Sequence, residues 1–351
     1  MKKLVKMMVV VLVVALVMPL TFSGCEQKAA VTLKIYNWGE YIAPEVLDEF
    51  TKQTGIAVEY TTFDDNEAMY AKVKNSGSDS YDIVFPSDYM VKKMIQDDML
   101  AELDYSNIPN IKNLAPEFTN LSYDPDGKYS VPYLWGTVGI LYNIDETGKE
   151  LTSMQDMFDE EYAGKICMLD SMRDTIGMTL KMLGYSMNDT DAAHINEARD
   201  ILLEQKSLVL AYGTDEIPQK VVNGSAAMAL VYSGEGVRVV EEFPENMRFV
   251  IPEEGSNFAV DAMVVLKTTK HQKEAEMFIN FMLDADVALQ NTVETGYSTT
   301  NAPAKDMLDD EVRDNPGRYP SQDIMDKCEI FEMIPAENKA YSDAWNMIKA
   351  K

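Results

Sequence analysis

Residues 33–60 read LKIYNWGEYIAPEVLDEFTKQTGIAVEY, and their pattern sets the class of fold. Leu33-Lys34-Ile35-Tyr36 alternates like a strand with one buried face. Pro44 has the fixed φ that suits a helix's first position, and Val46, Leu47 and Phe50 fall on one face of that helix. Gly55 stops it, and residues 56–60 return as a strand. Farther on, the spacing predicts a helix from Asn66 to about Lys74 and a short strand, Asp82-Ile83-Val84-Phe85. A β-α-β-α-β order implies a mainly parallel sheet wrapped by helices.

The texture changes between Leu121 and Asn143. Pro125-Asp126-Gly127 marks a turn between β-rich segments. The run 129–142, with Trp135 and Gly136 inside it, is long enough to carry the chain from one lobe to another. A second α/β alternation begins at Lys165, with a helix over 191–206 and strands over 208–212 and 226–232. Residues 258–266 read as the return crossing. In the helix after it, Ala275, Phe278, Ile279 and Met282 stand at i, i+3, i+4 and i+7, an ordinary core face. There is no internal repeat.

Lys2, Lys3 and Lys6 precede an apolar run over 7–18, too short for a permanent membrane helix and laid out as a secretory signal. Phe22-Ser23-Gly24-Cys25 places small residues before a cysteine, as lipoprotein processing requires. Cys25 is therefore the expected lipidation site and the membrane lipid a partner of the chain, with 1–24 as leader and 25–31 as tether. The remaining length, about 327 residues, exceeds what one compact core holds and predicts two lobes.

The chain carries 31 basic and 58 acidic residues, a net charge of −27. Such a surface repels nucleic acid and concentrates cations. Cys167 and Cys328 either pair or remain thiols, and thiols are the preferred reading. His194 and His271 have no partner at metal-ligand spacing, so no metal site is expected. Neither a Gly-x-Ser-x-Gly elbow nor a phosphate loop occurs, and no cofactor or enzymatic activity is expected.

Tyr36-Asn37-Trp38-Gly39-Glu40-Tyr41 opens a series of motifs that continues through Pro86-Ser87-Asp88-Tyr89, Val131-Pro132-Tyr133-Leu134-Trp135-Gly136, Leu183-Gly184-Tyr185-Ser186 and Gly296-Tyr297. In order and spacing the chain resembles the spermidine/putrescine-binding proteins of bacterial polyamine ABC transporters. The resemblance implies an α/β, two-lobed fold of the periplasmic-binding-protein type, with a ligand held in the cleft. It also implies a polyamine as ligand, permease subunits of an ABC transporter as partners, and a place on the outer face of the cytoplasmic membrane. The expected lobes are 32–136 with 261–305, and 137–260 with 306–351.

A polyamine needs carboxylates at ammonium spacing, because a desolvated, unpaired charge costs several kcal/mol. It also needs aromatic walls for its methylenes, worth about 0.5–2 kcal/mol per cation–ring contact. By position in the motifs, Trp38, Glu40, Tyr41, Ser87 and Tyr89 would come from the first lobe. Asp174, Thr214, Tyr232, Asp261 and Tyr297 would come from the second lobe and the crossings. Asp261 also stands out unaided, as a lone acid in the apolar run Phe258-Ala259-Val260-Asp261-Ala262-Met263-Val264-Val265. Ser171-Met172-Arg173-Asp174 reads equally as a helix cap. The family pattern has an acid at Ser171, tryptophans at Ala259 and Tyr232, and a glutamine near Phe331 or Glu332. Glu235, three residues after Tyr232, could replace the lost charge, although a surface glutamate is the preferred reading, and no Lys or Arg is expected in the slot.

Overall fold

The computed structural model describes residues 31–77, 80–335 and 338–350. The leader and Cys25 lie outside them. No helix among the described residues is long and apolar enough to cross a membrane.

Ten strands form one continuous, curled sheet: β1 (Thr32–Trp38), β2 (Ala57–Phe63), β3 (Ile83–Val84), β4 (Ser130–Asn143), β5 (Ile166–Leu169), β6 (Val209–Gly213), β7 (Met228–Tyr232), β8 (Met247–Val250), β9 (Phe258–Val265) and β10 (Ser298–Thr299). Their order is β2-β1-β3-β9-β4-β7-β5-β6, with β8 and β10 also paired to β4. The parallel pairs lie at the two ends, β1 with β2 and β3, and β5 with β6 and β7. The middle is antiparallel, because the chain passes there between the two halves and returns.

Strand β4 makes that passage. At about 3.4 Å per residue it is roughly 45 Å long, and all 14 of its residues are buried. Residues 130–137 pair with β9, whereas 138–143 pair with β7 and β8. The handover falls between Thr137 and Val138. Strand β9 pairs along its length with the first part of β4 and with β3.

Each half buries its own core. In the first half the period of two sends Leu33, Ile35, Ile83, Phe85, Met263 and Val265 to one face of the sheet. Tyr36, Val84, Val260, Ala262 and Val264 go to the other. The second half packs around Ile140, Met168, Leu202 and Leu230. The C-terminal stretch is divided between them: Tyr319 and Met325 lean on the first half, while Phe331, Tyr341 and Ile348 join the second core.

Local signals hold where they were strongest. The first helix spans Pro44–Thr54, buries Val46 and Phe50, and ends at Gly55, whose φ of 74° a side chain would resist. The segment ahead of Pro125 is not a strand. Asp124 gathers the N–H groups of Lys128, Tyr129 and Ser130, which builds the turn from a side chain instead of a partner strand. Cys167 and Cys328 are free thiols.

Candidate functional site

The C-terminal ends of parallel strands leave carbonyl ends and loop starts facing a common crevice, the usual ligand position in such sheets. Both halves present that end to the same cleft. Trp38 ends β1 and Tyr41 follows it, Ser87 and Tyr89 follow β3, Ser171 and Asp174 follow β5, Thr214 follows β6, and Tyr232 ends β7. Strand β9 contributes Ala259 and Asp261 from one side of its pleat, and Tyr297 enters just before β10. The enclosed space is about 110 Å³. At roughly 10–15 Å³ per water it has room for several waters, or for a ligand that displaces them. Its walls carry seven aromatic rings, nine carboxyl groups and one guanidinium.

Asp261 sits at the centre. Tyr41 donates to Oδ2 at 2.6 Å and Ser87 donates to Oδ1 at 2.6 Å. Ser87 is itself held by Asn66, which donates to its Oγ at 3.0 Å and accepts from its N–H at 3.2 Å. Tyr133 donates to the carbonyl of Tyr41 at 2.9 Å, which fixes the turn beneath it. Burial pushes the Asp261 carboxyl up to about 6, although both hydroxyl donors and their hydrogen bonds pull the other way. Two neutral donors leave the charge itself uncompensated.

Asp174 is the counterpart in the second half. It accepts from Ser171 at 2.6 Å, from Asn257 at 2.8 Å and from Tyr232 at 3.1 Å. Ser171 also accepts from the Asp174 N–H at 3.3 Å, so capping of the Met172–Met182 helix and placement of the carboxylate are one arrangement. Asp174 is 5 % exposed. Its charge adds to what holds Asp261 up, so the two acids feel each other across the cleft.

Of the ten residues singled out by motif position, nine line this space. Glu40 does not. It stands at a φ of 46°, its side chain is 77 % exposed, and it pairs with Arg238 at 3.4 Å. The tight turn at Gly39 and Glu40 swings the side chain outward, whereas Tyr41 returns inward.

Two further expectations are corrected. Arg173 enters the slot, between Phe331 (4.3 Å), Tyr89 (5.3 Å) and Tyr341 (5.5 Å). It donates to the Glu332 carbonyl at 3.0 Å and to Asn188 at 3.2 Å. The cation thus ties the C-terminal stretch to the Met172–Met182 helix, stacked on rings, and its charge opposes the upward pull of burial on Glu67 and Asp88. Glu235 is no surface residue: it lines the cleft with Asp215, and its Oε2 is buried with no donor. Its place in the first turn of a helix resembles ordinary solvated acid, and only its spacing of three residues from Tyr232 marked it in the sequence.

Sequence reasoning also passed over Asp88 and Glu67. Asp88 is buried, accepts from the N–H groups of Tyr89 (2.6 Å) and Val260 (3.3 Å), and is pushed up to about 8 by burial. Glu67 accepts from the Tyr89 hydroxyl at 3.1 Å and is raised, again chiefly by burial. Burial also holds the Tyr89, Tyr232 and Tyr297 phenols well above their usual range, so they keep their protons. Among the described residues no His, Cys, Asp and Glu group is arranged to hold a metal ion.

Residues 45–320 match the family of bacterial extracellular solute-binding proteins. The chain is 35% identical over 321 residues to spermidine/putrescine-binding periplasmic protein 1 of Haemophilus influenzae, which covers 91% of this chain and 89% of the relative. It is 35% identical over 320 residues to the spermidine/putrescine-binding periplasmic protein of Escherichia coli, covering 91% and 92%. Among solved structures, the spermidine/putrescine ABC transporter substrate-binding protein PotD of Streptococcus pneumoniae superposes with a TM-score of 0.79. The two are 42% identical, with 92% of this chain and 99% of that one covered.

Proposed function

The chain belongs to the bacterial extracellular solute-binding protein family, and we propose that it captures a linear polyamine, spermidine or putrescine, and delivers it to an ABC importer. The cleft's composition carries this reading. Uncompensated carboxylates stand in both halves, Asp261 on one side and Asp174 on the other, and aromatic rings line the narrow space around them. Each ammonium would replace lost hydration with a carboxylate, and each methylene run would lie against rings. The names of the relatives in H. influenzae and E. coli point to the same ligand class.

Ferric iron fits less well. The tyrosines that would ligate it are held protonated by burial, and Tyr232 already donates to Asp174. Calorimetric titration of the purified chain with spermidine, putrescine, thiamine and ferric iron tests the assignment. Micromolar or tighter binding of a polyamine is expected, about −8 kcal/mol. Binding of thiamine or iron with none of either polyamine would overturn the ligand class.

Cys25 would hold the protein on the outer face of the cytoplasmic membrane after the leader is removed. Cys25→Ser is expected to shed the protein into the medium or leave it unprocessed. A variant that is cleaved normally and stays on the membrane would remove the anchor.

A further inference from the structure

Arg318 sits in the C-terminal stretch on its way from the first half, against which Tyr319 packs, to the second, which takes in Phe331. Asn315 sets the turn ahead of it, accepting from the Gly317 N–H through its side chain at 2.9 Å and from the Tyr319 N–H through its carbonyl at 2.8 Å. The backbone is pinned to the first half: Ser298 donates to the Arg318 carbonyl at 2.6 Å, and the Tyr319 ring stands 5.8 Å from that of Trp135. The side chain leaves it. Nε and Nη2 donate to Glu241 at 3.2 and 3.0 Å, in the helix Ser233–Glu242, which packs Val239 into the second core. Nη1 turns back and donates to the Thr292 carbonyl at 3.1 Å, in the helix Ala285–Thr295, which packs Val287 into the first.

Both helices lead to the cleft. The first begins next to Tyr232, and the second ends just ahead of Tyr297. Their ends touch there: a Cβ on Gly296 would come within 2.3 Å of the Gly234 carbonyl oxygen, and one on Gly234 within 2.3 Å of the Tyr297 ring. Tyr297 is thus seated on the second half, and Arg318 holds Thr292 and Ser298 on either side of it. The Arg318 side chain is 1 % exposed and that of Glu241 is 40 % exposed. A guanidinium so buried needs its counter-charge, and a two-pronged contact with a carboxylate is met in one relative placement of the partners. Drawing the halves apart at this seam would break it.

We propose that Arg318 is a positioning residue for ligand capture: through Glu241 and Thr292 it fastens the two halves, with the Tyr297 wall between them, in the arrangement that encloses the ligand. The inference rests on the reading of this cleft as a capture site. Arg318 does not itself line the cleft. It therefore acts on the balance between open and closed forms, not on ligand contacts. Weakening the closed form lowers the affinity for every ligand that needs it by the same factor. The loss falls on the rate of release, because the encounter with the open cleft is unchanged.

Arg318→Met fills the buried space without the charge and leaves Glu241 to water. In calorimetry and stopped-flow kinetics on the full chain, both the spermidine and the putrescine dissociation constants are expected to rise about tenfold, through faster release at an unchanged association rate. Arg318→Lys keeps the charge and should restore part of the loss. Glu241→Gln should weaken binding by itself yet add little in the Arg318→Met background, as expected of two partners in one contact. It also serves alone if Arg318→Met folds poorly. A lower melting temperature with unchanged constants and rates would make Arg318 a residue of the fold only and overturn the inference, leaving the ligand class standing. If the parent binds no polyamine, the ligand class falls, and small-angle scattering of the unliganded proteins decides the tie. Arg318→Met is then expected to show a larger radius of gyration than the parent, and equal radii would overturn it.

Discussion

At Asp261 two tendencies oppose each other. Burial favours the protonated acid, while Tyr41 and Ser87 favour the carboxylate, and the group settles at about 6. At neutral pH it is mostly ionised, held by neutral donors and lacking a cation. Asp261→Asn keeps the size but removes that charge. Losing one partner of a buried charge pair costs about 3–5 kcal/mol, so spermidine affinity is expected to fall at least a hundredfold by calorimetry. Unchanged affinity would make Asp261 a structural residue only. Asp174→Asn is expected to weaken binding comparably, because Asp174 is buried with three neutral donors and is not a solvated first-turn acid.

The Met172–Met182 helix joins stability and recognition in one element. Ser171 caps it and holds Asp174 in place through the same hydroxyl. Removing a serine cap costs about 1 kcal/mol, which lowers the melting temperature by about 1–2 °C in a chain of this size. Ser171→Ala is expected to show that drop and also to weaken spermidine binding severalfold, since Asp174 loses a donor. A drop in melting temperature with unchanged affinity would separate the cap from the site. Strand β9 is a second element of this kind. Its pleat sends Val260, Ala262 and Val264 into a core and Ala259 and Asp261 into the cleft, so a one-residue slip would bury the acid in apolar contacts.

Across the whole molecule, the ligand-facing residues are divided between two halves joined at β4. Saturating spermidine is expected to draw the halves together and reduce the radius of gyration in small-angle scattering. An unchanged radius would mean that binding does not require closure. Buried acids also set a stability profile for the free protein. Asp261, Asp88 and Glu235 have folded pKa values of about 6, 8 and 8, all above the ordinary carboxylate range. Their contribution is present below about pH 4 and is lost as pH rises through 6 to 8, by up to about 1.4 kcal/mol per pH unit for each group. Asp97, Asp104 and Asp189 are shifted the other way, so their contribution is lost only as pH falls below about 4. The unliganded protein is therefore expected to melt several degrees higher at pH 5.5 than at pH 8, and saturating spermidine should narrow the gap. A flat or rising profile in scanning calorimetry would show that these acids ionise without cost.

The sequence by itself determined the alternation of strands and helices, the long crossing run at 129–142, and the anomaly of Asp261 within an apolar strand. Those features are written in neighbours two to four residues apart, where periodicity, Pro44 and Gly55 act directly on the backbone. Motif position also brought nine of ten proposed residues to one cleft. Tertiary structure alone decided the rest. Arg173 lies in the slot because a stretch more than 150 residues later supplies rings and a carbonyl to hold it. Glu40 points out and Glu235 points in because of a tight turn and a helix start, each of which leaves a glutamate looking the same in sequence. Whether a carboxyl group is solvated, capped or buried beside another depends on which distant element covers it, and no local pattern records that.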